Sequence, residues 1–137
     1  PAVWAARNFF HLPYFNARMP FTVEGDTVTY SSTRTHRHAP PAHLEATYGP
    51  TAPVFQAQPG SIEDWLTARY CLYTTDKREK VYRGEIHHRP WPLQPARAIF
   101  TENSMAGAAG ISLPDQEPLL YFARRLDVLI WPLQTVG

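Results

Sequence analysis

Cysteine and lysine are both scarce in this sequence of 137 residues, which contains one cysteine, Cys71, and two lysines, Lys77 and Lys80, against eleven arginines. A single cysteine excludes an intrachain disulfide, and this fits a cytoplasmic protein. Cys71 lies in an apolar run, so we expect a buried structural thiol. Arginine in place of lysine favours fixed ion pairs and the recognition of carboxylate or phosphate groups.

Net charge is also low, because 13 basic residues face 12 acidic ones and leave a formal charge of +1. This value provides no broad electrostatic attraction to nucleic acid or to an anionic membrane surface. The apolar run near the C-terminus is interrupted by Arg124, Arg125 and Asp127, so no segment is suited to span a bilayer. We therefore expect neither nucleic acid nor a membrane as a partner.

Several motifs of known chemistry are missing from the sequence. It has no glycine-rich phosphate loop, no nucleophile elbow, no paired cysteine ligands and no His-Glu-x-x-His helix. His36, His38 and His43 are close in sequence, but they fall in or beside a predicted solvent-exposed link that offers no fixed geometry for a metal. We predict no metal site and no cofactor, and no catalytic residue is assigned.

What is present is a chain with 44% hydrophobic and 13% aromatic residues, enough for one packed core. We predict a single domain over residues 1–137. The sequence starts without methionine and enters an apolar helical pattern over residues 3–10 at once. We therefore expect that an N-terminal portion of the full-length protein is lacking.

Alternation of apolar and polar residues predicts a mainly β structure. Residues 15–24 and 27–34 flank Gly25-Asp26, which predicts a hairpin. Further strands are expected over residues 43–48, 70–74, from 81 to the proline-broken loop at 90, over 96–100 and, as a buried strand pair or one bent strand, over 119–132. The predicted class is α+β, with mainly antiparallel strands in a barrel-like or strongly twisted sheet and two or three short helices.

The clearest predicted helix start is Ser61, because Ser61-x-x-Asp64 resembles the reciprocal capping pattern. Ile62, Trp65 and Leu66 follow at helical spacing, so we expect them to face a core. Two other short helices are predicted, over residues 3–10 and 103–110.

Most of the ionisable residues that suggest a site lie around the predicted strand that begins at Val81. Arg83, Glu85 and His87 share one face of it, because alternate side chains of a strand point the same way. The other candidate ligand-binding residues are Arg69 and Tyr70 across the hairpin, Tyr14 and Arg18 near the first strand, and Trp91 in the proline-rich loop.

Two interpretations of these residues stay open at the level of sequence. An arginine in a polar cavity would hold a small carboxylate while Glu85 or His87 moves a proton. Alternatively, the same groups form a buried ion-pair network that fixes strand register, and Trp91 fills the core instead of forming a pocket wall. Asp127, within an apolar run, needs a cationic partner in either case, and the candidates are Arg124, Arg125 and an arginine of the candidate site.

Seven segments of the sequence together resemble the YqjF-like family of uncharacterised bacterial proteins. The resemblance is carried by residues 12–14, 17–19, 60–63, 69–73, 82–88, 91–94 and 122–128, and so spans nearly the whole chain. None of these motifs is diagnostic of catalysis. The family is thought to be distantly related to acetoacetate decarboxylase, whose fold is a closed antiparallel β structure around a central cavity.

The resemblance implies binding of a small carboxylate or keto acid in such a cavity. The decarboxylase family carries a Pro-Lys-Lys element and reacts through a lysine Schiff base. Here Pro92 is followed by Leu93 and Gln94, and the two lysines of the chain lie in a charged turn. We therefore expect no Schiff-base chemistry, and whether the protein is an enzyme stays open. The alternative is a non-catalytic structural or interaction domain, including one that forms homo-oligomers through exposed strand edges.

Overall fold

The computed structural model describes residues 2–136, which contain three short helices and ten strands joined by loops. The helices are α1 (Ala2–Asn8), α2 (Ile62–Thr67) and α3 (Met105–Ala108). The strands are β1 (Ala17–Arg18), β2 (Phe21–Glu24), β3 (Thr27–Arg34), β4 (His43–Pro50), β5 (Cys71–Thr75), β6 (Val81–His88), β7 (Gln94–Asn103), β8 (Tyr121–Phe122), β9 (Val128–Ile130) and β10 (Gln134–Thr135). All of the strand pairs are antiparallel, which confirms the predicted α+β class.

The strands form two separate sheets in two compact units. Unit 1 contains residues 2–14, 55–93 and 123–136, and in its four-stranded sheet β6 pairs with β5, β9 and β10. Unit 2 contains residues 15–54 and 94–122, and its six-stranded sheet has the order β1-β3-β4-β7-β8, with β2 also paired to β3. Both sheets are open, so the predicted barrel-like closure does not occur within residues 2–136. None of the helices described here has the length or apolar content needed to cross a bilayer.

The hairpin of β2 and β3 confirms the turn predicted at Gly25-Asp26. Glu24 pairs with Thr27, and Gly25 adopts φ = +59°, a left-handed conformation that glycine tolerates best. The turn lies against β4, where a Cβ atom added to Gly49 would be 2.6 Å from the Asp26 carbonyl oxygen. Glycine at position 49 therefore allows the turn to approach β4.

Helix α2 begins as the sequence predicts. The Ser61 hydroxyl accepts the Asp64 N–H at 3.2 Å, and the Asp64 carboxylate accepts the Gly60 N–H at 2.9 Å. The predicted core contacts of the helix are wrong, however, because Ile62, Trp65 and Leu66 are all exposed. Helical spacing places these three residues together but does not supply a surface for them to pack against.

Two further predictions of burial are also wrong. Cys71 is exposed at the start of β5. The predicted buried strand over residues 119–132 is divided between β8 in unit 2 and β9 in unit 1, and all three residues of β9 are exposed. The polar residues at positions 124, 125 and 127 separate the two short strands.

Candidate functional site

Strand β6 carries the three ionisable residues that the sequence places on one face. Arg83 Nη2 lies 3.3 Å from Glu85 Oε1, and the two side chains are 48% and 56% exposed. His87 continues the same face and is exposed. The predicted juxtaposition is therefore present, but the Arg83–Glu85 pair lies in solvent and does not form a buried ion-pair network.

The neighbouring strands extend this charged face. Tyr73 of β5 pairs with Arg83, and Cys71 pairs with Glu85, so both share the face with the ion pair. Leu129 of β9 pairs with His87 on the same side and is 61% exposed. The face is an open surface, and a cavity does not enclose it within residues 2–136.

The opposite face of β6 holds a buried histidine, His88, which is only 7% exposed. Its ring is stacked on Tyr70 at 4.8 Å between centroids and meets Trp91 edge-on at 6.1 Å. Nδ1 lies 2.8 Å from the Arg89 carbonyl oxygen and Nε2 lies 3.2 Å from the Arg69 carbonyl oxygen. The two ring nitrogens therefore lie between the backbone of Arg69 and that of Arg89.

The remaining sequence candidates make contacts of other kinds. The Arg69 guanidinium stacks on Trp65 at 4.2 Å from the ring centroid. Tyr14 is exposed in unit 1, where its carbonyl accepts a hydrogen bond from Arg7, whereas Arg18 belongs to β1 of unit 2. Trp91 has a buried Nε1 with no hydrogen-bond partner among the described residues.

A cleft of about 710 Å³ opens at the end of β6, and we call it the β6 cleft. Its polar lining comes from Gln56, His87, His88, Arg89, Arg125 and Asp127, and its apolar lining from Pro90, Pro92, Leu126, Val128 and Leu129. Arg125 donates from Nε and Nη2 to Asp127 Oδ1 at 3.0 and 2.9 Å. This pair supplies the partner predicted for Asp127, but both side chains are about 80% exposed, so the predicted burial of Asp127 is wrong.

Arg89 is the residue of the β6 cleft that sequence reasoning missed. Its guanidinium makes no ion pair or hydrogen bond within residues 2–136, and the residue is exposed. The signal lies in the sequence, because positions 83, 85, 87 and 89 continue one period-two pattern. Pro90 directly follows Arg89 and ends the predicted strand, which hides the last position of this pattern.

A second cleft, of about 320 Å³, lies beside the turn between β5 and β6. It is lined by Arg7, Asn8, His11, Asp76, Lys77 and Arg78. Asp76 accepts the N–H groups of Arg78 and Lys80 at 2.8 and 3.1 Å, and the Tyr82 hydroxyl at 3.1 Å. The Arg78 N–H in particular lowers the pKa of the Asp76 carboxyl, while desolvation and the Asp76 contact raise the pKa of Tyr82.

No group of three His, Cys, Asp or Glu side chains within residues 2–136 is arranged to hold a metal ion. His36, one of the three histidines considered above, instead contacts its neighbours in unit 2. Its Nδ1 lies 3.3 Å from the Asn16 amide nitrogens, and its ring meets Phe15 edge-on at 5.4 Å. Its surroundings are thus those of a packing residue.

Comparison with known proteins places these features in a family context. A family model described as an uncharacterized conserved protein, DUF2071, matches residues 1–127. The chain is 47% identical over 133 residues to the uncharacterized protein YqjF of Bacillus subtilis (strain 168). The match covers 97% of this chain and 54% of YqjF, so the chain spans about half the length of this relative. No solved structure matches the chain.

Proposed function

From the premise that this chain belongs to the DUF2071 family of uncharacterized conserved proteins, we propose that it binds a small carboxylate or keto acid in the β6 cleft. The observation that carries the proposal is the unpaired guanidinium of Arg89 in a cleft with apolar walls. Ligand sites combine such apolar lining with a few polar groups that fix orientation, and about 710 Å³ is an ordinary volume for a small-molecule site.

The chemistry of the cleft favours an anion with a short carbon skeleton. Arginine binds carboxylate through two parallel N–H groups, and Arg89 has those donors free. Leu126, Val128 and Leu129 provide apolar contact for the remainder of the ligand. His87 offers a ring nitrogen for a hydrogen bond to a second polar group of the ligand, such as the oxygen of a keto acid.

The cleft beside the β5–β6 turn is the weaker candidate for this role. Its six described lining residues are all polar or charged, whereas the β6 cleft also offers apolar side chains to the carbon skeleton of the ligand. The β6 cleft is about twice as large and contains both apolar and cationic groups. The comparison supports Arg89 over Lys77 as the anchor for a carboxylate.

The distant relation to acetoacetate decarboxylase is part of the same proposal, without the lysine chemistry. Lys77 and Lys80 are exposed in the β5–β6 turn, and Lys80 Nζ lies 5.8 Å from the Tyr82 ring centroid. An exposed lysine in a charged turn lacks the enclosed apolar pocket in which a Schiff-base nucleophile is activated. A cytoplasmic location belongs to this proposal too, and the single thiol of the chain supports it.

Titration of the chain with acetate, pyruvate and acetoacetate, followed by calorimetry and by NMR amide shifts, tests the proposal. We expect saturable binding that Arg89→Gln weakens by about tenfold, the loss expected for one charge-assisted contact. Arg97→Gln is the matched control, because Arg97 is an exposed arginine of unit 2 outside the cleft. Absence of binding by all three acids would overturn the proposal, and loss with Lys77→Gln alone would move the site to the other cleft.

A further inference from the structure

The six-stranded sheet of unit 2 has one face whose two central rows are apolar, while Ser32, paired with Leu44, and Gln94, paired with Phe122, are polar members of the same face. The register places Phe21, Tyr30, Ala46 and Phe100 side by side across four strands. A parallel row on the same face contains Val23, Val28, Tyr48 and Ala98, and the Tyr48 and Phe122 rings lie 6.4 Å apart. We call the face formed by these two rows, with Leu44 and Phe122, the apolar face.

The reverse side of the same strands is polar. Its members include Thr22, Glu24, Thr29, Glu45, Thr47 and Arg97. Antiparallel sheets with this alternation pack the apolar side against a core and expose the polar side to water. The pattern in the sequence of unit 2 is therefore that of a sheet covered on one side.

That cover is missing at the margins of the apolar face. Phe21 is 66% exposed, Val23 is 56% exposed and Phe100 is 45% exposed. The three residues lie on β2 and β7, on either side of the better buried positions of β3 and β4. Exposed apolar side chains that neighbour each other on a sheet face, as Phe21 and Val23 do on β2, are typical of a site of association, whereas the single exposed Ile99 on the reverse side is ordinary.

We propose that the apolar face is the surface on which the remainder of a DUF2071 polypeptide packs, namely the part of the family chain that lies outside the match to these residues. In YqjF that part amounts to nearly half of the protein, because the match covers 54% of its length. A segment of that size is large enough to form the second layer that a one-sided sheet requires.

One feature favours this occupant over a second copy of the chain. The apolar face carries no charged side chain at the positions named above, and interfaces without charge resemble a domain core more than a reversible contact.

Thiol labelling tests the proposal with paired cysteine variants. In this chain, with Cys71→Ser to remove the exposed native thiol, Phe21→Cys and Thr22→Cys lie on opposite faces of β2 and are both exposed. The same pair is made at the aligned positions of YqjF, in a background free of other reactive thiols. The rate of reaction with an aromatic disulfide reagent is then measured for each variant.

In YqjF we expect the position aligned with Phe21 to react at least about tenfold more slowly than the position aligned with Thr22, because cover must open before the reagent enters. In this chain the two rates should be similar. Equal rates in YqjF would overturn the proposal. Protection of Phe21→Cys in this chain that increases with protein concentration would also overturn it, because a second copy would then be the occupant. Val23→Cys and Glu24→Cys provide a second pair if the first perturbs folding.

Discussion

The two sheets use the same antiparallel pairing but distribute polar groups in opposite ways. In unit 2, alternate positions of β2, β3 and β4 separate into an apolar side and a threonine-rich side. In unit 1, the exposed side of β6 carries an ion pair, and the covered side contains a histidine bonded to two backbone carbonyls. Unit 2 is thus organised by apolar cross-strand contacts and unit 1 by specific hydrogen bonds.

This difference shows which kind of substitution each unit should resist. Apolar packing tolerates changes of shape but not an unpaired charge, because a charge has no partner there. A bonded polar cluster tolerates little change at the bonded atom, because each remaining carbonyl then loses its donor. In each sheet, therefore, substitution of the residue on the covered side of a strand should lower stability, and the same substitution of its neighbour on the exposed side should not.

The largest effect is expected for Ala46→Asp in β4. Ala46 is 6% exposed and lies between Tyr30 and Phe100 in the middle of the apolar face. A carboxylate there has no cationic partner on that face, so the free energy of unfolding should fall by about 3 kcal/mol or more. Urea denaturation followed by tryptophan fluorescence and far-UV circular dichroism measures the change.

Thr47→Asp is the matched control for this substitution. Thr47 is the next residue of the same strand and lies on the exposed polar side. Its replacement should lower the free energy of unfolding by less than about 1 kcal/mol, which is the range spanned by strand propensities. If both variants lose the same stability, the two sides of the sheet do not differ in the way that the register implies.

A smaller effect is expected for His88→Ala on β6. The substitution removes the ring stacked on Tyr70 and the ring nitrogens that face the Arg69 and Arg89 carbonyls. Lost packing and lost hydrogen bonds together should lower the free energy of unfolding by about 2–3 kcal/mol. Chemical denaturation at pH 7 provides the measurement.

His87→Ala isolates the contribution of burial, because His87 is the adjacent histidine on the exposed face. Its removal should change stability by no more than about 0.5 kcal/mol. A cost for His87→Ala equal to that for His88→Ala would contradict the assignment of the two faces. Loss of carboxylate binding by His87→Ala, with stability unchanged, would agree with its place in the β6 cleft.

Sequence reasoning predicted the local structure well because local structure depends on neighbouring residues. The Gly25-Asp26 hairpin, the Ser61 cap and the shared face of Arg83 and Glu85 all follow from spacing and residue type. The predicted barrel-like closure is wrong, because closure depends on strand order, which spacing and residue type do not determine. The role of His88 was also hidden, since its second carbonyl comes from Arg69, 19 residues away.

The errors of burial have one common cause. Periodicity states which side chains share a face, and it does not state whether another segment covers that face. Ile62 and Leu129 belong to apolar patterns and are nevertheless exposed. The apolar face of unit 2 is informative for the same reason. Its alternation of apolar and polar residues predicts a covered sheet, and the structure leaves part of that face exposed.

The smallest of the expected effects concerns the turn between β5 and β6, where Asp76 accepts two backbone N–H groups and the Tyr82 hydroxyl. The pKa of the Asp76 carboxyl in the folded protein lies below its ordinary value, chiefly because of the Arg78 N–H. The charged form therefore stabilises the fold. This stabilisation is fully present above the unfolded-state pKa of about 3.9 and is lost as the pH falls through the lower folded-state pKa.

Asp76→Asn should accordingly lower the thermal midpoint at pH 7, by less than His88→Ala because the turn is partly exposed. The difference between wild type and variant should shrink as the pH falls below 4, because the wild-type carboxyl then becomes neutral as well. Thermal unfolding followed by circular dichroism between pH 3 and pH 7 measures both trends. A difference in thermal midpoint that stays constant over this range would mean that the amide disturbs the geometry of the turn. The charge of Asp76 would then not stabilise the turn, and one of the polar contacts that distinguish unit 1 from unit 2 would be lost.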